Sequence, residues 1–149
     1  MEIYDLRTEC EKEPLGIDAA RPSFSWKLRG DNLFQSYYRV RVATSEKLLQ
    51  DDKPDMWDSG KIESDETVCV KYGGKPLEER AKYFWSVEAN GERSALSWFE
   101  TAYLQKAMPC ARWIGMPLAY HGATDVVRLD FTVRGGLKRA RLYLAALGF

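Results

Sequence analysis

Tyr38-Arg39-Val40-Arg41-Val42-Ala43 alternates apolar side chains with charged ones at a period of two. Successive side chains of a strand point to opposite faces, so Tyr38, Val40 and Val42 share one side; a helix would scatter them around its cylinder. The stretch predicts a β-strand with one face to bury. The same alternation recurs in Phe24, Trp26 and Leu28 against Ser23, Ser25 and Lys27, then in Val68, Val70 and Tyr72, and again in Tyr83, Trp85, Val87 and Ala89. Each set offers one apolar edge to a common core.

The separators between these sets are turn formers. Pro14-Leu15-Gly16 and Arg21-Pro22 break the opening segment, and Pro22 biases Arg21 toward extended backbone. Asp58-Ser59-Gly60, Gly73-Gly74 and Asn90-Gly91 follow. Asn90-Gly91 is the most specific, because both residues tolerate the positive φ of a tight hairpin. That hairpin makes Ala89 and residues 96–101 antiparallel neighbours. Ser45 is placed to cap a short helix over residues 46–50, with Leu48 and Leu49 packing back and Asp51-Asp52-Lys53-Pro54-Asp55 ending it. The first hundred residues thus predict about seven strands, the number for a small two-sheet sandwich.

A second composition begins near Met108-Pro109. Strands are expected at residues 111–115, over Val127, Leu129, Phe131 and Val133, and at residues 139–147, with Gly135-Gly136 turning the chain. The division is therefore 1–106, an all-β sandwich, and 107–149, the first strands of an incomplete second β-domain. Three strands in roughly forty residues leave open edges and too little area to bury. The tail either docks on the first sandwich or belongs to a longer polypeptide; the apolar run Leu142-Tyr143-Leu144-Ala145-Ala146-Leu147 favours the second.

Composition sets further bounds. At 45% hydrophobic and 30% charged, the 149 residues have enough nonpolar side chain for a sizeable core. Lys plus Arg equals Asp plus Glu at 22 each, so no net field steers the chain to nucleic acid or acidic lipid. Arg39, Arg41, Arg128, Arg139 and Arg141 occupy strand positions and read as the solvated side of a sheet. Cys10, Cys69 and Cys110 are odd in number and widely spaced, which makes them buried or half-buried free thiols with neither a zinc pair nor a disulfide framework. No run reaches transmembrane length, and Met1-Glu2-Ile3-Tyr4 lacks a secretion signal's basic and apolar regions. Localisation stays open between cytoplasm and periplasm.

Nothing in the sequence assembles a reaction centre. His121, the single histidine, has no Cys or carboxylate at ligand spacing, so neither metal nor cofactor is expected. Ser23, Ser25, Ser59 and Ser97 lack a nucleophile elbow. Glu9, Glu11 and Glu13, then Asp51, Asp52, Asp55 and Asp58, then Asp65 and Glu66, lie in polar, turn-rich surroundings where a carboxylate stays ionised. A general acid needs desolvation or a close like charge instead. The best non-catalytic candidates are Tyr37, Phe84 and Trp98, which fall outside the inward sets. Each is a candidate to stack on a sugar or anchor an interface, and the plainer expectation is that Tyr37 and Phe84 cover the outer face or pack against the following domain.

The ordered segments resemble the N-terminal region of bacterial α-L-rhamnosidases. The likeness rests on Leu6-Arg7-Thr8-Glu9, Pro14-Leu15-Gly16-Ile17-Asp18, Arg21-Pro22-Ser23-Phe24-Ser25-Trp26 and Tyr38-Arg39-Val40-Arg41-Val42-Ala43-Thr44-Ser45. It continues in Trp57-Asp58-Ser59-Gly60-Lys61-Ile62, Tyr83-Phe84-Trp85-Ser86-Val87 and Ala111-Arg112-Trp113-Ile114-Gly115. Arg128-Leu129-Asp130-Phe131-Thr132-Val133 and residues 140–148 complete it. The resemblance implies an immunoglobulin/fibronectin type III-like sandwich followed by the start of a second β-sandwich related to carbohydrate-binding modules. It also implies a parent that hydrolyses terminal α-linked L-rhamnose with inversion in a later barrel, so no catalytic residue carries over. Expected partners are downstream domains of the same polypeptide. Two other classes remain: an independent glycan-binding module using exposed aromatics, and an interaction domain self-associating through open β edges.

Overall fold

The computed structural model describes residues 1–31, 33–104, 111–112, 114, 128–133 and 135–144. The chain divides into two units, Met1–Pro109 and Cys110–Phe149.

The first unit is a two-sheet sandwich of the immunoglobulin type. Its elements are β1 (Glu2–Thr8), β2 (Ser23–Arg29), β3 (Tyr38–Ala43), α1 (Glu46–Gln50), β4 (Trp57–Asp58), β5 (Val70–Lys71), β6 (Lys82–Ala89), β7 (Glu92–Arg93) and β8 (Ser97–Glu100). One sheet runs β1-β2-β5; the other runs β4-β3-β6-β7, with β8 also on β6. The strand pairings are antiparallel. The alternating sets meet between the sheets: Phe24 and Trp26 from one, Tyr38, Val40, Val42, Trp85, Val87 and Phe99 from the other. Phe24 lies 4.5 Å from Trp85, and Trp26 meets Tyr38 edge-on at 5.3 Å. Burying a side chain such as Phe24 contributes about 1.5–3 kcal/mol, so these aromatics carry much of the stability.

Inside, Trp26 and Gln35 satisfy one another, whereas Thr8 Oγ1, Arg41 Nε and Trp85 Nε1 are buried without a hydrogen-bond partner among the described residues. Trp26 Nε1 donates to Gln35 Oε1 at 3.0 Å, and Gln35 Nε2 donates to the carbonyls of Ser64 and Glu66 at 3.1 and 2.9 Å. This ties the connection between β4 and β5 across the core.

The turn signals act as their chemistry requires. Asn90 and Gly91 take φ of 48° and 87°, and the hairpin pairs Ala89 with Glu92 and Glu88 with Arg93. Beyond it, residues 97–100 pair with the other half of β6, from Lys82↔Glu100 to Trp85↔Ser97. Ser45 Oγ caps α1 by accepting from Leu48 N, and Leu49 is buried. After Thr8 the chain crosses between sheets. Pro14 O accepts from Glu100 N at 3.0 Å, Ile17 N donates to Glu100 O at 2.9 Å, and Ala102 N donates to Ile17 O at 2.8 Å. The proline-glycine stretch thereby covers the free edge of β8. The edge strand β1 carries a bulge between Tyr4 and Arg7, with Asp5 at φ 49°. Both features blunt strand addition.

Several expectations are corrected. Val68 is exposed, because Cys69 at φ 58° breaks the alternation before Val70. Cys10 and Cys69 are exposed, not buried, each at a left-handed backbone position outside the strands; Cys110 lies outside the described residues. Arg41 is not on a solvated surface: it is 1% exposed, since α1 packs over that face of β3 and β6. Arg39, in contrast, keeps part of its side chain in solvent.

In the second unit Gly135-Gly136 forms the expected turn, with Gly136 at φ 83°. The described residues of the expected strands, 111–112, 114, 128–133 and 139–144, form no ladder. Leu129, Phe131, Val133, Leu142 and Leu144 are exposed. Strand pairing needs neighbours for both the backbone groups and the apolar face, and no ladder supplies them among these residues. Among the described residues no helix is long and apolar enough to cross a membrane.

Candidate contact surface

Along β6, Tyr83, Trp85 and Val87 point inward, which turns Lys82, Phe84, Ser86 and Glu88 to the outer face. The register places Phe84 directly opposite Trp98 on β8 and Ala43 on β3. Phe84 and Trp98 are half-buried cross-strand neighbours. Lys82, two residues before Phe84 on the same face, holds its ammonium 3.9 Å from the Trp98 ring centroid and 5.0 Å from that of Phe84. A cation over two aromatic faces is attracted by their quadrupoles.

Lys82 also borders a cleft of about 340 Å³ lined by Thr44, Met56, Lys75, Pro76, Glu78, Ala81 and Tyr83. Thr44 N and Oγ1 donate to the two Asp55 oxygens at 2.9 and 2.6 Å. Burial pushes the Asp55 carboxyl up, but the Thr44 hydrogen bonds outweigh it and hold the group below its ordinary value. Tyr83 Oη accepts from Glu78 N at 2.8 Å, and burial raises its phenol. The positive charge of Lys75 also helps to lower the Asp55 carboxyl.

Of the three aromatics singled out by sequence, two are therefore neighbours and the third is remote. Tyr37 precedes Tyr38, which pairs with Ala89, whereas Phe84 pairs with Ala43 at the other end of β3. Those ends are separated by about 17 Å of strand. Tyr37 is half-buried beside the Asn90-Gly91 turn, with Lys61 Nζ 4.5 Å from its centroid. Sequence reasoning missed Lys82, whose signal was its spacing of two from Phe84. Phe34, 69% exposed next to the same turn, was also missed, because it lies in a loop without periodicity.

A second cleft of about 380 Å³ opens where β4 of one sheet faces β5 of the other, lined by Tyr38, Trp57, Ile62, Val70, Asp58, Glu66 and Lys71 among others. Asp58 there is bound by Arg39 at 2.5 Å, and that ion pair lowers its carboxyl. Asp5 is likewise lowered, by hydrogen bonds from Lys27 and Arg7. Among the described residues, each carboxyl whose value departs from the ordinary one thus moves toward the ionised form. A general acid requires the opposite shift. Among the described residues no group of three His, Cys, Asp or Glu side chains could hold a metal; His121 lies outside them.

Comparison with known proteins fits this arrangement. Residues 3–108 match the family described as Rha78A-like, N-terminal immunoglobulin domain. An α-L-rhamnosidase of Streptomyces avermitilis is 45% identical over 78% of this chain and 12% of the relative. One from Formosa agariphila is 36% identical over 95% of this chain and 17% of the relative. The crystal structure of the Streptomyces avermitilis α-L-rhamnosidase complexed with L-rhamnose superposes with a TM-score of 0.70 at 41% identity, covering 79% of this chain and 12% of that one. The Dictyoglumus thermophilum α-L-rhamnosidase gives 0.65 at 37% identity, over 71% and 13%. The chain thus spans 12% and 17% of the two curated relatives. It belongs to the Rha78A-like N-terminal immunoglobulin domain family, an accessory module distinct from the catalytic domain of the rhamnosidase-like proteins that carry it.

Proposed function

We propose that this chain is a non-catalytic scaffold within a multidomain glycoside hydrolase that removes terminal α-linked L-rhamnose with inversion. The match of residues 3–108 to an N-terminal immunoglobulin domain carries the reading. The downward carboxyl shifts of Asp5, Asp55 and Asp58 support it, since a sandwich that only packs needs no protonated acid. Residues 1–106 are the sandwich and 107–149 the first part of the following β-domain, a division supported by the break between the two compact units. Downstream domains of the same polypeptide are its partners. Phe84 and Trp98 on one face, and Tyr37 at the opposite end, are its candidate contacts with those domains or with carbohydrate. Self-association through sheet edges is the weaker alternative, because Pro14–Ile17 covers β8 and a bulge interrupts β1.

The test uses this chain and a longer protein that carries it with its downstream domains, both assayed on an aryl α-L-rhamnoside. The longer protein is expected to turn over and this chain is not. Turnover by the purified chain, or an inert longer protein, overturns the proposal.

A further inference from the structure

We propose that Asn90 is a self-modification site: its side-chain amide is hydrolysed through attack by the Gly91 nitrogen, at a rate set by the loop at residues 33–37, and the product releases that loop. The sequence supplies the reactive pair. Gly91 carries no side chain to obstruct the approach of its nitrogen to Asn90 Cγ, whereas Asn32, the other asparagine of the chain, is followed by Leu33. As the Gly91 N–Cγ bond forms it closes a five-membered imide; the Cγ–Nδ2 bond breaks and ammonia leaves with the Gly91 amide proton. Water then opens the ring at either carbonyl. The products are aspartate and isoaspartate, in which the main chain runs through Cγ and is one methylene longer.

The fold holds this reaction back in two ways. Asn90 and Gly91, at φ 48° and 87°, form a type I′ turn, in which the ψ of the first residue is about +30°. That ψ turns the Gly91 nitrogen away from Asn90 Cβ, so ring closure needs the turn to open. The side chain is also held toward the preceding loop. Its Oδ1 accepts from Ser36 N at 2.9 Å, from Ser36 Oγ at 2.7 Å and, more weakly, from Tyr37 N at 3.4 Å, while Nδ2 donates to Phe34 O at 2.5 Å. The three shorter bonds, each of about 1 kcal/mol, must break before Cγ can swing to its own backbone. Reaction therefore proceeds from the locally opened state, and loop 33–37 is the gate.

Neither product restores the latch. Aspartate puts an acceptor where Nδ2 donated, against Phe34 O, although it can still hold Ser36. Isoaspartate adds an atom to a two-residue turn and breaks the register of Ala89 with Glu92 and of Glu88 with Arg93. Arg93 also binds Asp52 at 2.7 Å, so β7 and the end of α1 loosen together. Phe34 and Leu33, both exposed, are then left on a loop anchored by Gln35.

The test ages the whole chain in mildly alkaline buffer, folded and in urea, and follows Asn90 and Asn32 by peptide mass spectrometry with isoaspartate detection. In urea Asn90 is expected to react ahead of Asn32. Folding is expected to slow Asn90 on the order of a hundredfold. Ser36→Ala, at an exposed position, removes the Oγ donor without altering the turn and is expected to speed the folded reaction about fivefold. The aged chain, separated from unreacted chain, is expected to be cut by chymotrypsin after Phe34 roughly fivefold faster or more. Asn90 no faster than Asn32 in urea, equal folded and unfolded rates, a Ser36→Ala rate no higher than the parent's, or an aged chain as resistant at Phe34 as the fresh one each overturns the proposal.

Discussion

Arg41 donates to Glu88 at 2.6 Å on the outer face of the β3–β6 ladder, with the arginine side chain only 1% exposed. A second ion pair joins Arg41 to Asp52, which also accepts from Arg93 at 2.7 Å. The network pins the end of α1 to the sheet, since Arg93 reaches Leu49 O as well. Arg41 Nε has no hydrogen-bond partner.

That arrangement makes the two ends of the ion pair unequal. Glu88→Ala leaves a buried guanidinium with one half-exposed partner and is expected to destabilise by about 2–4 kcal/mol. Arg41→Met removes the buried charge and its orphan donor together, leaves two carboxylates that reach solvent, and is expected to stay within about 1 kcal/mol of the parent. Urea unfolding midpoints compare them. Equal losses in the two variants would show that the charge is hydrated and not enclosed.

Acid sensitivity follows from Asp58 and Asp55. Both carboxyls are held below the unfolded-chain value, Asp58 chiefly by the Arg39 hydrogen bond and Asp55 by Thr44 against the opposing effect of burial. A depressed folded value means the stabilisation is complete above the unfolded value near 3.9 and is lost as pH falls through the folded one. Asp58→Asn is therefore expected to flatten the acid limb of stability against pH by lowering the neutral plateau, with little change at the acid end. At the alkaline end burial pushes the Tyr72 phenol up to about 12. Its Oη also donates to Lys75 O at 2.7 Å. The folded state resists ionisation there, so stability is expected to fall between pH 10 and about 12, and Tyr72→Phe to make that slope shallower, the buried Tyr83 and Tyr38 phenols sustaining the rest. Unfolding at stepped pH, followed by tyrosinate absorbance, reads both limbs.

The fold was legible where chemistry is local. Period-two alternation found β2, β3 and β6 because side-chain direction in a strand depends on nothing beyond the backbone, and Asn90-Gly91 declared its hairpin through φ alone. What failed were inferences needing a third body. Arg41 reads as a surface residue until α1 is known to lie over it. Cys69 interrupts an apparently regular set through a φ that its residue type does not advertise. Leu129, Phe131 and Val133 alternate as well as any stretch in the first unit, but alternation specifies a strand only when neighbours complete its ladder. At the contact surface, Phe84 and Trp98 were individually visible as out-of-phase aromatics. Their adjacency, and the separation of Tyr37 from both, depend on β6–β8 and β3–β6 register, which no single segment encodes.

Gly73-Gly74 illustrates the same limit with a measurable consequence. The pair is a turn former by residue type, yet Gly74 does not take positive φ; its constraint is space. A Cβ there would fall against Met56 O, 2.5 Å from Trp57 Cβ and 2.6 Å from Tyr72 Oη. Backbone and two rings of the core edge would have to move, and Gly74→Ala is expected to cost about 3 kcal/mol or more. A Cβ on Gly135 meets nothing within 4 Å, and Gly135→Ala is expected to change stability by less than about 0.5 kcal/mol. Thermal melts of the two variants separate a packing requirement from a general intolerance of alanine in the glycine pairs.

Asn90 combines both kinds of constraint, and two substitutions pull them apart. Its φ of 48° is left-handed, which costs an ordinary L-residue about 1–2 kcal/mol. Its side chain also accepts from Ser36 N and Oγ at 2.9 and 2.7 Å and donates to Phe34 O at 2.5 Å, tying the loop before β3 to the hairpin. Asn90→Gly keeps the backbone conformation and loses only the side-chain bonds, so a loss of about 1 kcal/mol is expected. Asn90→Ala loses both and is expected to cost about 2–3 kcal/mol. Hydrogen exchange at the Ser36 amide should accelerate equally in the two variants, because each removes its acceptor, while global stability differs. A protected Ser36 amide in Asn90→Gly would mean that the loop is held by its own packing, with Gln35 as the anchor and not Asn90.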